Sequence, residues 1–161
     1  MVERMYKSPV NLSETARSTI AGSLNERLVD GLDLHSQIKV AHWNIRGPQF
    51  PTLHPLFETF AIALALHNDN IAERAVTLGG HAIGTARQVA KSSRLPEYPA
   101  ELAKDLDHVK ALADRIDAYL EGVRTTRKIV EEQGDIISFD LLGTVLTEFE
   151  KNNWFLRATL A

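Results

Sequence analysis

Ile20, Leu24, Leu28, Leu32, His35 and Ile38 recur at three- and four-residue spacing, the period of one face of a helix. The stretch opens at Asn11-Leu12-Ser13-Glu14, where the Ser13 hydroxyl can cap free backbone N–H groups. It ends at Gly47-Pro48, a pair that breaks helices. One long helix is predicted from about Ser13 to Ile45. A second starts near Pro51, since proline suits a first turn, and runs to about Leu78, where Gly79-Gly80 closes it. A connection over about 81–100 follows, with Gly84, Pro96 and Pro99, and with room for a short helix over Thr85 to Ser92. A third helix is predicted from about Ala100 to Glu132. Gly134 separates it from a fourth, from about Asp135 to Leu160. No stretch alternates as a strand would.

Two helical pairs joined by one long crossover have ferritin-like connectivity. The fold expected is all-α: a ferritin-like four-helix bundle with a short helix in the long crossover between helices two and three. The chain has 161 residues, the size of one domain. Residues 1–161 are read as that domain, with 1–12 as an N-terminal extension.

Hydrophobic residues make up 44% and charged residues 24%, as in soluble globular proteins. No apolar run approaches the ~18–20 residues of a membrane span. Met1 to Lys7 carry no apolar signal region, so a cytoplasmic location is expected. With no cysteine, thiolate metal sites and thiol catalysis are excluded. The net charge of −3 comes without a basic block, which argues against a free-standing nucleic-acid binder.

Five side chains carry the candidate chemistry: His42, His54, Glu58, Asp69 and Glu73. No catalytic residue is expected beyond these metal ligands. Four lie on the second helix. With His54 at 0° and ~100° per residue, Glu58 falls near ~40°, Asp69 near ~60° and Glu73 near ~100°, all on one face. Yet eleven residues separate Glu58 from Asp69, roughly 16 Å of axial rise. Metal–ligand bonds are only ~2.0–2.2 Å, so each pair is half a site. A second copy laid antiparallel about a dyad near Ala63–Leu64 would bring His54/Glu58 of one to Asp69/Glu73 of the other, twice per dimer. Ala61, Ala63 and Ala65 are small enough to allow that approach, and His42 could complete each half-site. Imidazole with carboxylate suits iron, or zinc and manganese less specifically. No glutamate is followed by histidine three residues later, so the Glu-x-x-His site of bundle interiors is absent. Taken singly, these residues could instead be helix-end histidines and a solvated acidic face.

At these positions the sequence resembles the Dps family, the DNA-binding proteins from starved cells or mini-ferritins. Ala41-His42-Trp43-Asn44-Ile45-Arg46-Gly47-Pro48-Gln49-Phe50, continuing to Leu53-His54 and Glu58, is similar to the family's first signature. Asp69-Asn70-Ile71-Ala72-Glu73-Arg74, followed by Leu78-Gly79-Gly80, is similar to the second, and the likeness returns at Trp154-Phe155-Leu156. The resemblance implies a hollow homododecamer built from two-fold dimers, which oxidises Fe(II) with a preference for hydrogen peroxide and stores the ferric product. It implies iron as the metal, with His42, His54 and Glu58 from one subunit and Asp69 and Glu73 from its partner. It also implies an acidic three-fold pore for iron, to which Glu131 and Asp140 correspond; the alternative is helix-start acids around an Asp135 N-cap. Trp43 and Trp154 match tryptophans near the family's site that absorb stray oxidising equivalents, or else they pack in the core. Two positions depart from the pattern. Pro55 directly after His54 requires that it still lie in the first turn of its helix. Asn68 stands where relatives usually place an apolar residue.

DNA-binding members often carry a basic tail. Here Arg4 and Lys7 are offset by Glu3 and Glu14 in the first sixteen residues, and Ala161 directly follows the fourth helix. DNA binding is therefore expected to be weak or absent. Two other readings stay open: a nucleoid protein that coats DNA, and a structural helical dimer whose interface histidines take up zinc.

Overall fold

The computed structural model describes residues 5–161. Glu3 and Arg4, on which the N-terminal charge balance partly rests, lie outside the described residues. Five helices follow in order: α1 (Glu14–Asn44), α2 (Phe50–Thr77), α3 (Ala86–Ser92), α4 (Asp105–Glu132) and α5 (Ile136–Thr159). α1 packs along α2 and α4 along α5, while α1 against α4 joins the two pairs. The short α3 lies in the crossover, as the pattern predicts. Among the described residues no helix is long and apolar enough to cross a membrane.

The predicted boundaries hold to within a residue or two wherever a cap sets them. Ser13 accepts from the Ala16 amide at 3.1 Å, and Asp135 accepts from the Ser138 amide at 3.2 Å. The exception is α4, which begins at Asp105 rather than near Ala100. The Arg46 amide donates to the Ala103 carbonyl and the Asp105 amide donates to the Arg46 carbonyl, both at 2.9 Å. This rung holds Lys104 extended, with φ −73° and ψ 139°, so no helical turn can include it.

The core is drawn from positions three and four apart on all four long helices. Ile20, Leu24, Leu34 and Ile38 of α1 meet Phe57, Phe60, Leu64 and Ile71 of α2, Leu112, Ile116 and Tyr119 of α4, and Val145, Phe149 and Leu156 of α5; all are 0–2% exposed. Burying each large apolar side chain contributes about 1.5–3 kcal/mol before entropy. Ala61 belongs to this core at 1% exposure, so it is not on an open face as the sequence reading supposed. α1 also ties down the crossover: Asn25 donates to the His81 carbonyl at 2.8 Å and accepts from the Ile83 amide at 3.0 Å, and Gln37 donates to the Pro96 carbonyl at 3.1 Å.

Candidate metal centre

The α1–α2 turn carries the first candidate half-site. Gly47 takes φ +139°, a conformation open to glycine and strained for other residues. The Asp105 carboxylate reaches across from α4 and accepts from the Gln49 amide at 2.7 Å. It fills the space beside Gly47, where a Cβ would lie 2.5 Å from Asp105 Cγ. The first residue of α4 thus clamps the turn that carries a histidine on either side.

His42 and His54 then lock one another. His42 Nδ1 donates to the His54 carbonyl at 2.8 Å, and His54 Nδ1 donates to the His42 carbonyl at 2.9 Å. The rings stack at 3.8 Å between centroids, with 22° between planes. The His42 carbonyl is available because α1 is ending there and the Arg46 amide has turned to Ala103. A carbonyl only accepts, so each Nδ1 carries a proton, and in the neutral ring the lone pair is on Nε2. A metal-binding histidine needs this arrangement, with the outer nitrogen fixing the tautomer and the ring's direction.

Glu58 stands one turn beyond His54, with Oε2 3.5 Å from His42 Nε2. Lys39, one turn before His42, donates to the same Oε2. That hydrogen bond is the largest cause holding the Glu58 carboxyl below its ordinary pKa. His35 lies a further turn back on α1, with its pKa lowered first by burial and then by Lys39. Lys39 and His35 were not singled out from the sequence. Their spacing of three and seven residues before His42, respectively, puts them on its face, and that is the available signal.

Pro55 sits in the second turn of α2 and not in the first, contrary to the expectation. The carbonyl it leaves without an amide belongs to Pro51, an exposed residue at the helix start. Water can serve that carbonyl, and His54 remains in place.

Asp69 and Glu73 are exposed on the same face of α2 and do not approach the histidines within the subunit. Among the described residues no three His, Asp or Glu side chains gather closely enough to hold a metal ion. The structure places His42 against His54 and within 3.5 Å of Glu58 without closing the three around one ion, and it leaves Asp69 and Glu73 apart. Between the two groups Ile62 and Leu66 project at 63% exposure each, which the sequence reading missed. Asp69 lines a groove of about 550 Å³ with Leu28, Leu32, His35 and Ala72.

Glu131 and Asp140 are exposed at the α4–α5 turn. Asp135 is not free beside them: it caps α5 and pairs with Arg74 Nη2 at 2.8 Å. Burial alone would raise its carboxyl, but hydrogen bonds from Ser138 and Arg74 hold it below the usual range. Trp43 and Trp154 are 66% and 62% exposed, so core packing does not explain them.

A helical bundle of this connectivity defines the ferritin-like class, and the ferritin-like domain matches residues 21–161. The DNA protection during starvation protein of Agrobacterium fabrum is 37% identical over 155 residues, 96% of each chain. DpsC from Streptomyces coelicolor superposes with TM-score 0.92 at 31% identity, over 98% of this chain and 92% of that one. The Dps protein of Vibrio cholerae O1, described as a member of a broad superfamily of ferritin-like diiron-carboxylate proteins, superposes with TM-score 0.91 at 26% identity, over 98% and 99%. The chain belongs to the Dps family.

Proposed function

We propose that this protein oxidises Fe(II), preferentially with hydrogen peroxide, at sites shared between two subunits, and stores the ferric product in a hollow dodecamer. The observation that carries the reading is the split face of α2. One end presents His54, locked against His42 of α1, beside Glu58, the other presents Asp69 and Glu73, and exposed Ile62 and Leu66 lie between. An isologous contact centred on these apolar residues covers them and closes both half-sites at once. The description of the Vibrio cholerae relative as a member of a superfamily of ferritin-like diiron-carboxylate proteins supports iron as the substrate. Imidazole and carboxylate ligands suit it, and the five groups leave coordination positions open for an oxidant.

This chain's own residues do three things. The reciprocal carbonyl bonds aim both Nε2 lone pairs in advance, so little ordering is left for metal binding. Lys39 holds Glu58 until a cation displaces it. Asp69 and Glu73 bring further carboxylate charge to a site whose other half is two imidazoles and Glu58. The iron supplies the electrons, two Fe(II) ions reducing one peroxide. Glu131 and Asp140, repeated around a three-fold axis, would draw Fe(II) inward. The single domain spans 1–161, the location is cytoplasmic, and DNA binding is weak or absent.

Stopped-flow formation of ferric iron tests the reading. Wild-type protein loaded with Fe(II) is mixed with peroxide beside Asp69→Ala. Fast oxidation in the wild type and a large loss in the variant are expected. A wild type no faster than free Fe(II) removes the reading in favour of a structural or zinc-binding dimer.

A further inference from the structure

Tyr98 lies in the crossover and His108 in the first turn of α4; neither is among the candidate metal ligands. His108 is 0% exposed and Tyr98 9%. The Tyr98 hydroxyl lies 2.6 Å from His108 Nδ1, with the rings 16° from parallel. Burial raises the phenol well above its ordinary pKa. Burial also lowers His108, against the Leu102 carbonyl and the Asp107 carboxylate, which favour its charged form. The phenol has one proton to give and Nδ1 is the acceptor within its reach, so with the neutral ring protonated at Nε2 the hydroxyl donates to Nδ1. The Arg115 guanidinium, anchored on the Glu97 carbonyl at 2.6 Å, lies 5.4 Å over the Tyr98 ring.

This is the arrangement a buried phenol needs to lose an electron. A phenol radical cation is a strong acid, so oxidation is accessible only if the proton departs in the same event. Out of contact with water, the proton needs a base already at hydrogen-bond distance. The chain has three tyrosines, which provide their own comparison. Tyr119 is as deeply buried, but its hydroxyl has no hydrogen-bond partner among the described residues. Tyr6 is 55% exposed. Tyr98 alone combines burial with an imidazole acceptor. It is linked to the candidate half-site through α4: Asp105, in the same turn as His108, clamps the turn that carries His42 and His54.

We propose that Tyr98 and His108 form a proton-coupled redox pair that surrenders an electron to one-electron oxidants. Their source at the metal centre rests on the proposed function: a lone Fe(II) reducing peroxide yields Fe(III), hydroxide and a hydroxyl radical. The radical takes one electron and becomes hydroxide. Tyr98 loses that electron, its O–H bond breaks, and the proton forms an N–H bond at His108 Nδ1. A later Fe(II) gives its electron to the Tyr98 radical, the proton returns from His108, and Fe(III) results. The net reaction is hydroxyl radical plus Fe(II) giving hydroxide plus Fe(III), with the pair restored.

Flash-generated tris(bipyridyl)ruthenium(III) supplies a one-electron oxidant without iron. In full-length Tyr6→Phe protein the sharp absorption of a phenoxyl radical is expected, and it should form more slowly in deuterated water. Adding Tyr98→Phe should abolish it, whereas adding Tyr119→Phe should leave it. No phenoxyl signal, or one that survives Tyr98→Phe, overturns the proposal. The isotope effect is read on the unaltered pair, so it does not depend on how the variants fold. A second arm replaces ruthenium with Fe(II) and peroxide and records freeze-quench electron paramagnetic resonance. A Tyr98 signal in both arms supports the pair and its source. A signal with ruthenium alone supports the pair and removes hydroxyl radical formed at the metal centre as its oxidant.

Discussion

Gly47→Ala tests whether the α1–α2 turn is what holds the two histidines in register. The new methyl meets the Asp105 carboxylate, with Cγ at 2.5 Å from the Cβ position, and the residue must keep φ +139°. A non-glycine residue in such a conformation costs about 1–3 kcal/mol. Displacing Asp105 also loses its bond to the Gln49 amide, a charged hydrogen bond contributing roughly 1.5–3 kcal/mol. The loss should therefore be about 2.5–6 kcal/mol, and at ~2–4 °C per kcal/mol for a chain of this size Tm falls by at least ~5 °C. The assay is thermal unfolding at one fixed protein concentration, since assembly shifts Tm by mass action. Asp105→Asn serves as comparison: it keeps the shape but weakens the bond, so it should lose only part of the amount. Because the turn aligns the histidine pair, Gly47→Ala should also slow ferric formation under conditions where it is still folded. A Gly47→Ala protein with unchanged Tm and unchanged oxidation would refute the clamp.

Three further outcomes follow from the same geometry. Lys39→Met should tighten divalent-metal binding, read by calorimetry with Co(II), because Glu58 then has no ammonium to give up; equal or weaker affinity would show that the contact does not compete with metal. Asp135→Asn should keep the α5 cap, since asparagine caps as well as aspartate, and should lose stability through the Arg74 ion pair. Because the folded Asp135 carboxyl is depressed, its contribution is present above about pH 4 and is lost as pH falls through the folded value. Urea titrations should thus show the wild type and the variant converging in acid, and a constant difference down to pH 2 would contradict this. Leu66→Arg should break the two-fold contact and lower the sedimentation mass, while a mass equal to wild type would move the interface off this face of α2.

Much of the fold was legible because helix periodicity and capping act locally. Ser13 and Asp135 announce their helices through side-chain oxygens that reach the first-turn amides. The α4 start was misread because Ala100 to Lys104 have no local reason to avoid helix. Arg46, far away in sequence, draws them into an extended rung. At the site, the spacing of His42, His54 and Glu58 was readable, and so was the reason that Asp69 and Glu73 could not join them within one chain. Pro55 was misjudged because the cost of a missing amide depends on whether water reaches the orphaned carbonyl. Lys39 escaped notice because a lysine on a helix face is ordinarily solvated, and only packing against α2 puts it on Glu58. Ala61 was assigned to the open face by residue size, yet the wheel position beside Leu64 and Phe57 turns it inward.

The central claim is that one oxidation site takes residues from two subunits, and complementation tests it most directly. His42→Ala and Asp69→Ala are prepared separately, then refolded together and mixed with Fe(II) and peroxide in the stopped-flow instrument. Each variant alone should oxidise Fe(II) slowly. Random pairing makes half of the two-fold dimers mixed, and each mixed dimer regains one of its two sites, so the mixture should recover on the order of a quarter of the wild-type rate. A mixture as slow as its parents, or an Asp69→Ala protein as fast as wild type, would contradict the shared site.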